Sequence, residues 1–296
     1  MNVGYVGSGR LASSIVGRLS GGHRVRVFAP QTPASGTVPA ATLRDFASDC
    51  DVAILALGSQ GEARAALLDP DGLSHSLARG SIVIDQSPGD PQETRELAIA
   101  LRERGVVLVD APVHCERAAT FPDGTAIFCG GPVEAVASVR PLLEAISPTV
   151  VHCGESGSGQ AMSLVVTAIA ACNRLITYEC AAVGVKNGLA IEHMATVLNK
   201  SSGQNSASAR VLPLLATIGA TADVTLETTV HELKLATQLA VRTGAPLLTA
   251  NLACCIYEAA AAKAGLDASL DELGRIYGAS AAIDFTDMRT WGTPGA

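Results

Sequence analysis

Val3-Gly4-Tyr5-Val6-Gly7-Ser8-Gly9-Arg10-Leu11-Ala12 decides how this chain is read. It runs from a short apolar strand through a glycine turn into a helix that reaches about Ser20, which is the setting a G-x-G-x-x-G/A pattern needs to carry meaning. Gly7 allows the tight turn, Gly9 lets a pyrophosphate approach the backbone, and Ala12 is small enough for the helix to pack closely on the strand. The N–H groups that open the helix then hold the phosphates. The plainer alternative is an ordinary strand-turn-helix. A second strand at 24–28 ends in Ala29-Pro30-Gln31-Thr32, which offers neither the carboxylate of a NAD site nor the arginine of a NADP site. The first 44 residues hold five arginines (Arg10, Arg18, Arg24, Arg26, Arg44) and no Asp or Glu, inside a chain of net charge −7. A 2′-phosphate is therefore not repelled, so NADP is favoured and NAD stays open. The cofactor-binding candidates are Gly7, Gly9, Arg10, Leu11, Ala12, Gln31, Thr32 and Leu57.

With 296 residues, 48% hydrophobic and 17% charged, the chain reads as a soluble globular protein large enough for two cores. Its acidic balance argues against nucleic acid and anionic membrane as partners. Met1 runs straight into the first strand, so no signal peptide is expected and a cytoplasmic location follows. The uncharged run 156–173 contains Gly157, Gly159, Gln160, Ser163 and Thr167 and reads as a buried helix, not a membrane span. The eight cysteines show no C-x-x-C pair. His114-Cys115 and His152-Cys153 are adjacent pairs whose side chains point to opposite faces of a strand, so no metal site is expected.

Up to about residue 155, short apolar strands alternate with helices: strands at 2–6, 24–28, 52–56, 82–85, 106–110, 125–129 and 149–153, with helices such as 91–104 and 133–146 between them. This pattern is α/β, a parallel sheet flanked by helices. After Gly159 the strands stop, and helices are expected at 160–187, 191–198, 206–218, 228–243, 245–264 and 269–281, followed by a loose tail from Thr286. The change of class places the domain boundary at residue 158: a Rossmann-type dinucleotide-binding domain over 1–158 and an all-helical domain over 159–296, to which the resemblance described below assigns substrate binding and dimerisation.

Further motifs stand behind the glycine fingerprint: Val83-Ile84-Asp85-Gln86-Ser87, Val109-Asp110-Ala111-Pro112-Val113, Gly124-Thr125, Gly130-Gly131, Gly157-Ser158-Gly159-Gln160-Ala161-Met162 and Leu198-Asn199-Lys200-Ser201-Ser202-Gly203. With these the sequence resembles the β-hydroxyacid dehydrogenases of the 6-phosphogluconate dehydrogenase superfamily, such as 3-hydroxyisobutyrate dehydrogenase, and more distantly the imine reductases. The resemblance implies a Rossmann domain, a helical domain, an active site in the cleft between them, and a homodimer.

The departures fall where the family does its chemistry. Its catalytic Lys and the Asn one turn later correspond to Ser163 and Thr167 here, and the only lysines are Lys186, Lys200, Lys234 and Lys263. The Ser-Gly-Gly substrate loop that follows Asp-Ala-Pro-Val becomes His114-Cys115-Glu116, losing a carboxylate cradle and gaining an acid. A Lys-Asp pair counted back from Gly244-Ala245-Pro246 falls on His231-Glu232. The expected roles are His231 as proton donor, Ser163 and Thr167 orienting the substrate atom, and His114, Cys115 and Glu116 binding substrate. The expected activity is NAD(P)H-dependent hydride transfer to a C=N or C=O bond of a small molecule, with an iminium favoured because its carbon already carries positive charge. Alcohol oxidation of the 3-hydroxyacid dehydrogenase type and a dinucleotide-binding protein without turnover are the alternatives.

Overall fold

The computed structural model describes residues 1–28, 38–39, 43–47, 50–115, 121–122, 124–216 and 224–283. The chain forms two compact units, Met1–Ser163 and Leu164–Ala296. Within the first, the elements run β1 (Asn2–Gly7), α1 (Arg10–Leu19), β2 (Arg24–Phe28), β3 (Val38–Pro39), α2 (Leu43–Ala47), β4 (Val52–Ala56), α3 (Gln60–Leu68), β5 (Ile82–Asp85), α4 (Pro91–Glu103), β6 (Val107–Asp110), β7 (Val113–His114), β8 (Ala126–Gly130), α5 (Val133–Ile146) and β9 (Thr149–Gly154). Among the described residues one sheet runs in the order β3-β2-β1-β4-β5-β6-β8-β7, with β9 paired to β8.

From β3 to β6 every pairing is parallel, in registers such as Tyr5↔Ile54 and Ile84↔Val109. These strands bury both faces, which is why β1 reads as an almost continuous apolar run. One face carries Val3, Tyr5, Ile54, Ile84 and Val109 with Ile15 and Leu19 of α1 and Val139 of α5. The other carries Val6, Leu55, Val83 and Leu108 with Phe46, Leu67 and Leu97.

The parallel sheet expected from the sequence is interrupted after β6 by two antiparallel joins, while β8 and β9 pair parallel again. Here β8 joins β6 antiparallel through Asp110↔Gly130, and β7 returns antiparallel beside β8 through Val113↔Ile127 and His114↔Ala126. Both antiparallel joins are short, and β7 has only two residues, so no alternation marked it in advance.

The helical unit comprises most of α6 (Ser158–Lys186), then α7 (Ile191–Leu198), α8 (Ser206–Ala216), α9 (Leu226–Thr243), α10 (Leu248–Ala264) and α11 (Asp271–Ser280). Its core gathers Leu164, Ala168, Leu175 and Tyr178 of α6 around Leu226, Leu233, Tyr257 and Leu273. The Thr225 hydroxyl caps α9 by accepting from the Thr228 N–H, and Gly244 ends it in the left-handed conformation at φ 70°. The expected tail from Thr286 lies outside the described residues.

Candidate functional site

At the C-terminal edge of β1 the glycine turn has the shape that a bound phosphate requires. A Cβ on Gly7 would lie 2.5 Å from the Ala56 carbonyl oxygen of the neighbouring strand, so this position admits only glycine. Gly9 sits at φ 99° and a Cβ there would meet nothing within 4 Å, so it would project into the open space at the helix start. α1 begins at Arg10 with no side-chain cap and no acidic residue in its first turn, which leaves its N-terminal N–H groups and positive dipole end available to an anion. Ala12 is buried and Leu11 packs against the same core, so both fix the helix on the sheet. This cradle fits a dinucleotide pyrophosphate. Leu57, just past β4, donates its amide to Ser87 Oγ at 3.1 Å, and the Ser87 amide donates to Asp85 Oδ1 at 2.9 Å. Full burial pushes the Asp85 carboxyl up to about 6, against the pull of the Ser87 hydrogen bonds. Gln31 and Thr32 lie outside the described residues.

A second carboxylate fixes the start of α6. Asp110 accepts from the Gly157 N–H at 2.7 Å through Oδ1 and from the Gln160 N–H at 2.9 Å through Oδ2. This clamp lets α6 begin two residues before the expected start at Gln160. Glycines make room for it: a Cβ on Gly130 would come within 2.5 Å of Asp110 Oδ1, and one on Gly159 would strike the Phe128 carbonyl. Gln160 also donates to the Ser87 carbonyl at 2.7 Å and accepts from the Gly89 amide at 3.1 Å, which ties the first turn of α6 to the loop after β5. Burial raises the Asp110 carboxyl while the helix amides lower it.

His114 ends β7, with its ring centroid 6.5 Å from that of Phe128, and Cys115 follows, half-buried. Glu116 lies outside the described residues. Ser163 is half-buried on α6, and Thr167, one turn on, is buried. Thr167 Oγ1 donates to Glu232 Oε2 at 2.7 Å, joining α6 to α9. Burial raises the Glu232 carboxyl, and the Thr167 bond offsets part of that.

His231, expected as the acid, is exposed, and Glu232 is the member of the pair that meets Thr167. Helical period explains the difference. Leu226, Thr229, Val230, Leu233 and Ala236 form the buried stripe of α9; position 232 flanks that stripe, whereas 231 lies nearly opposite it. Among the described residues no three His, Cys, Asp or Glu side chains gather as metal ligands.

Two family models cover the chain: the NAD-binding domain of 6-phosphogluconate dehydrogenase matches residues 2–154, and the NAD-binding domain of NADP-dependent 3-hydroxyisobutyrate dehydrogenase matches residues 157–277. An NAD-dependent L-serine dehydrogenase of Pseudomonas aeruginosa is 31% identical over 210 residues, 69% of this chain and 70% of that one. A 3-hydroxyisobutyrate dehydrogenase of the same organism is 29% identical over 218 residues, 69% and 71% of the two chains. Among solved structures, the Mycobacterium tuberculosis 3-hydroxyisobutyrate dehydrogenase with L-serine superposes with a TM-score of 0.81 at 22% identity, covering 93% of this chain and 98% of that one. An imine reductase of Myxococcus stipitatus with NADP+ superposes at 0.61 and 19% identity, covering 93% and 99%. The chain belongs to the β-hydroxyacid dehydrogenase family, the 3-hydroxyisobutyrate dehydrogenase-like NAD(P)-dependent oxidoreductases.

Proposed function

We propose that this oxidoreductase moves a hydride between the nicotinamide and a C=N or C=O bond of a small substrate, with hydroxyl and carboxyl groups replacing the family's lysine. The observation that supports this reading is the α6–α9 contact in which Thr167 bonds Glu232, taken with the resemblance that sets Ser163 and Thr167 at the family's lysine and asparagine positions. Bound at the glycine turn, the reduced dinucleotide supplies the hydride. The Gly7 and Gly9 backbone and the start of α1 hold its phosphates. Ser163 orients the reacting atom by donating a hydrogen bond, a role open to a hydroxyl that is too weak an acid to protonate an alkoxide unaided.

NADP is the preferred cofactor on this reading, supported by the acid-free arginine-bearing segment 1–44. A homodimer is supported by the apolar face that α6 leaves exposed at Val165, Ile169, Ile176 and Val183. Alcohol oxidation of the hydroxyacid type is the second reading, favoured by the names of the L-serine and 3-hydroxyisobutyrate relatives.

The test is transfer of label from NADPH stereospecifically deuterated at C4. Deuterium recovered at carbon in the product from a panel of cyclic imines, aldehydes and ketones is expected. If none of the panel and no hydroxy acid turns over, while NADPH binds, the chain binds dinucleotide without catalysis and the proposal fails.

A further inference from the structure

Glu232 is a carboxylate without a cation. It is half-buried, and among the described residues its one polar partner is the Thr167 hydroxyl at 2.7 Å. Lys234–Glu258 and Arg275–Glu272 are ion pairs of the helical unit that do not involve Glu232. α6 and α9, which carry the pair, also contribute Leu164, Ala168, Leu233 and Ala236 to the helical core, so the carboxylate stands against apolar surroundings. None of the four lysines lies on the stretch of α6 between Ser158 and Val185. A carboxylate so placed either holds a proton or takes a cationic partner from outside the chain. Burial raises its carboxyl, which is the response expected of a site where no side chain supplies the opposite charge. Among the described residues the remaining oxygen, Oε1, has no hydrogen bond, so it can accept one from a ligand.

We infer that Glu232, held by Thr167, binds the protonated nitrogen of an amine or iminium substrate, so that this chain selects cationic nitrogen compounds. The inference rests on the oxidoreductase reading above and specifies its substrate class. In the reductive direction the hydride forms the new C–H bond, the C=N π pair moves onto nitrogen, and the cationic charge of the iminium is neutralised as NADPH becomes NADP+. The resulting amine takes a proton from solvent and leaves as an ammonium ion. Glu232 therefore acts on charge and position. A plain hydroxy acid such as 3-hydroxyisobutyrate carries the opposite charge and is repelled by an ionised Glu232.

The experiment is calorimetric titration of the full chain, first with NADP+ and then, saturated with it, with three five-membered or branched probes: pyrrolidine (cationic at pH 7.5), tetrahydrofuran (neutral, same ring) and isobutyrate (anionic). Pyrrolidine is expected to bind at least about tenfold more tightly than tetrahydrofuran, and isobutyrate more weakly than either. Glu232→Gln keeps the shape and the acceptor for Thr167 and should bring pyrrolidine down to the level of tetrahydrofuran, with NADP+ affinity unchanged. Should that variant fail to fold, the order of the three probes on the wild-type chain and the salt dependence of pyrrolidine binding still decide the matter. Equal binding of pyrrolidine and tetrahydrofuran, tighter binding of isobutyrate, or undiminished pyrrolidine binding by Glu232→Gln would each overturn the assignment. Failure of both NADP+ and, in a parallel titration, NAD+ to bind would instead overturn the oxidoreductase reading, an outcome visible in the cofactor titrations alone.

Discussion

The Thr167 hydroxyl donates to the Glu232 carboxylate across 2.7 Å, and it is the one side-chain bond linking α6 to α9 among the described residues. Thr167→Val keeps the volume and removes the donor. The carboxyl should then titrate higher still, since the Thr167 bond is what holds it down. Loss of a hydrogen bond to a half-buried charged acceptor costs about 1–3 kcal/mol. Urea denaturation at pH 7 should report this, and Thr167→Ser should restore most of it. A Val variant as stable as wild type would mean the bond contributes nothing net.

Asp110 satisfies two amides at the start of α6, Gly157 and Gln160, in a fully buried setting. Asp110→Ala would strand both donors and is expected to cost about 3–5 kcal/mol, whereas Asp110→Asn keeps one acceptor and should cost less than half as much. Chemical denaturation with both variants checks the order. Equal losses would show that the cavity, not the amides, sets the cost.

Asp85 gives the pH dependence of stability a definite sign. Its folded value of about 6 lies above the ordinary 3.8, so between those values the folded chain holds a proton that the unfolded chain has released. Stability from this group is complete below pH 3.8 and falls as pH rises to about 6. Asp85→Asn, which still accepts from the Ser87 amide, should flatten that limb and raise stability at pH 8 by about 1–3 kcal/mol. A steeper loss of stability in Asp85→Asn at pH 8 would contradict the sign.

Gly9 separates binding from folding. A Cβ there meets no protein atom within 4 Å yet points into the crevice at the start of α1, with φ at 99°. Gly9→Ala should cost roughly 1–2 kcal/mol in stability from the backbone conformation. It should also weaken NADPH at least tenfold by calorimetry. Unchanged NADPH affinity would place the phosphates away from this turn.

The glycine turn, the strands at 24–28, 52–56 and 82–85, and the helix at 133–146 were legible because each is a long or uninterrupted pattern between clear turn residues. β7 was not, because two residues carry no period, and the antiparallel join at Asp110↔Gly130 depends on partners distant in sequence. The expectation for Ser163 and Thr167 came from their place after Gly157-Ser158-Gly159, in the resemblance. His231 was singled out by side-chain chemistry at neutral pH, whereas the contact of Glu232 with Thr167 depends on packing beside the α9 stripe. The clamp by Asp110 lay beyond sequence reasoning because it joins residues 47 and 50 positions apart.

The central claim is that a carboxyl and two hydroxyls, not a lysine, handle the substrate in this family member. The most direct measurement compares kcat/KM for NADPH-dependent reduction of 1-pyrroline with kcat/KM for NADP+-dependent oxidation of 3-hydroxyisobutyrate by the wild-type chain and by Ser163→Lys. The account predicts that the wild-type chain prefers the imine by at least about a hundredfold and that Ser163→Lys moves the ratio toward the hydroxy acids. Efficient hydroxy-acid oxidation by the wild-type chain, with little or no imine reduction, would contradict it.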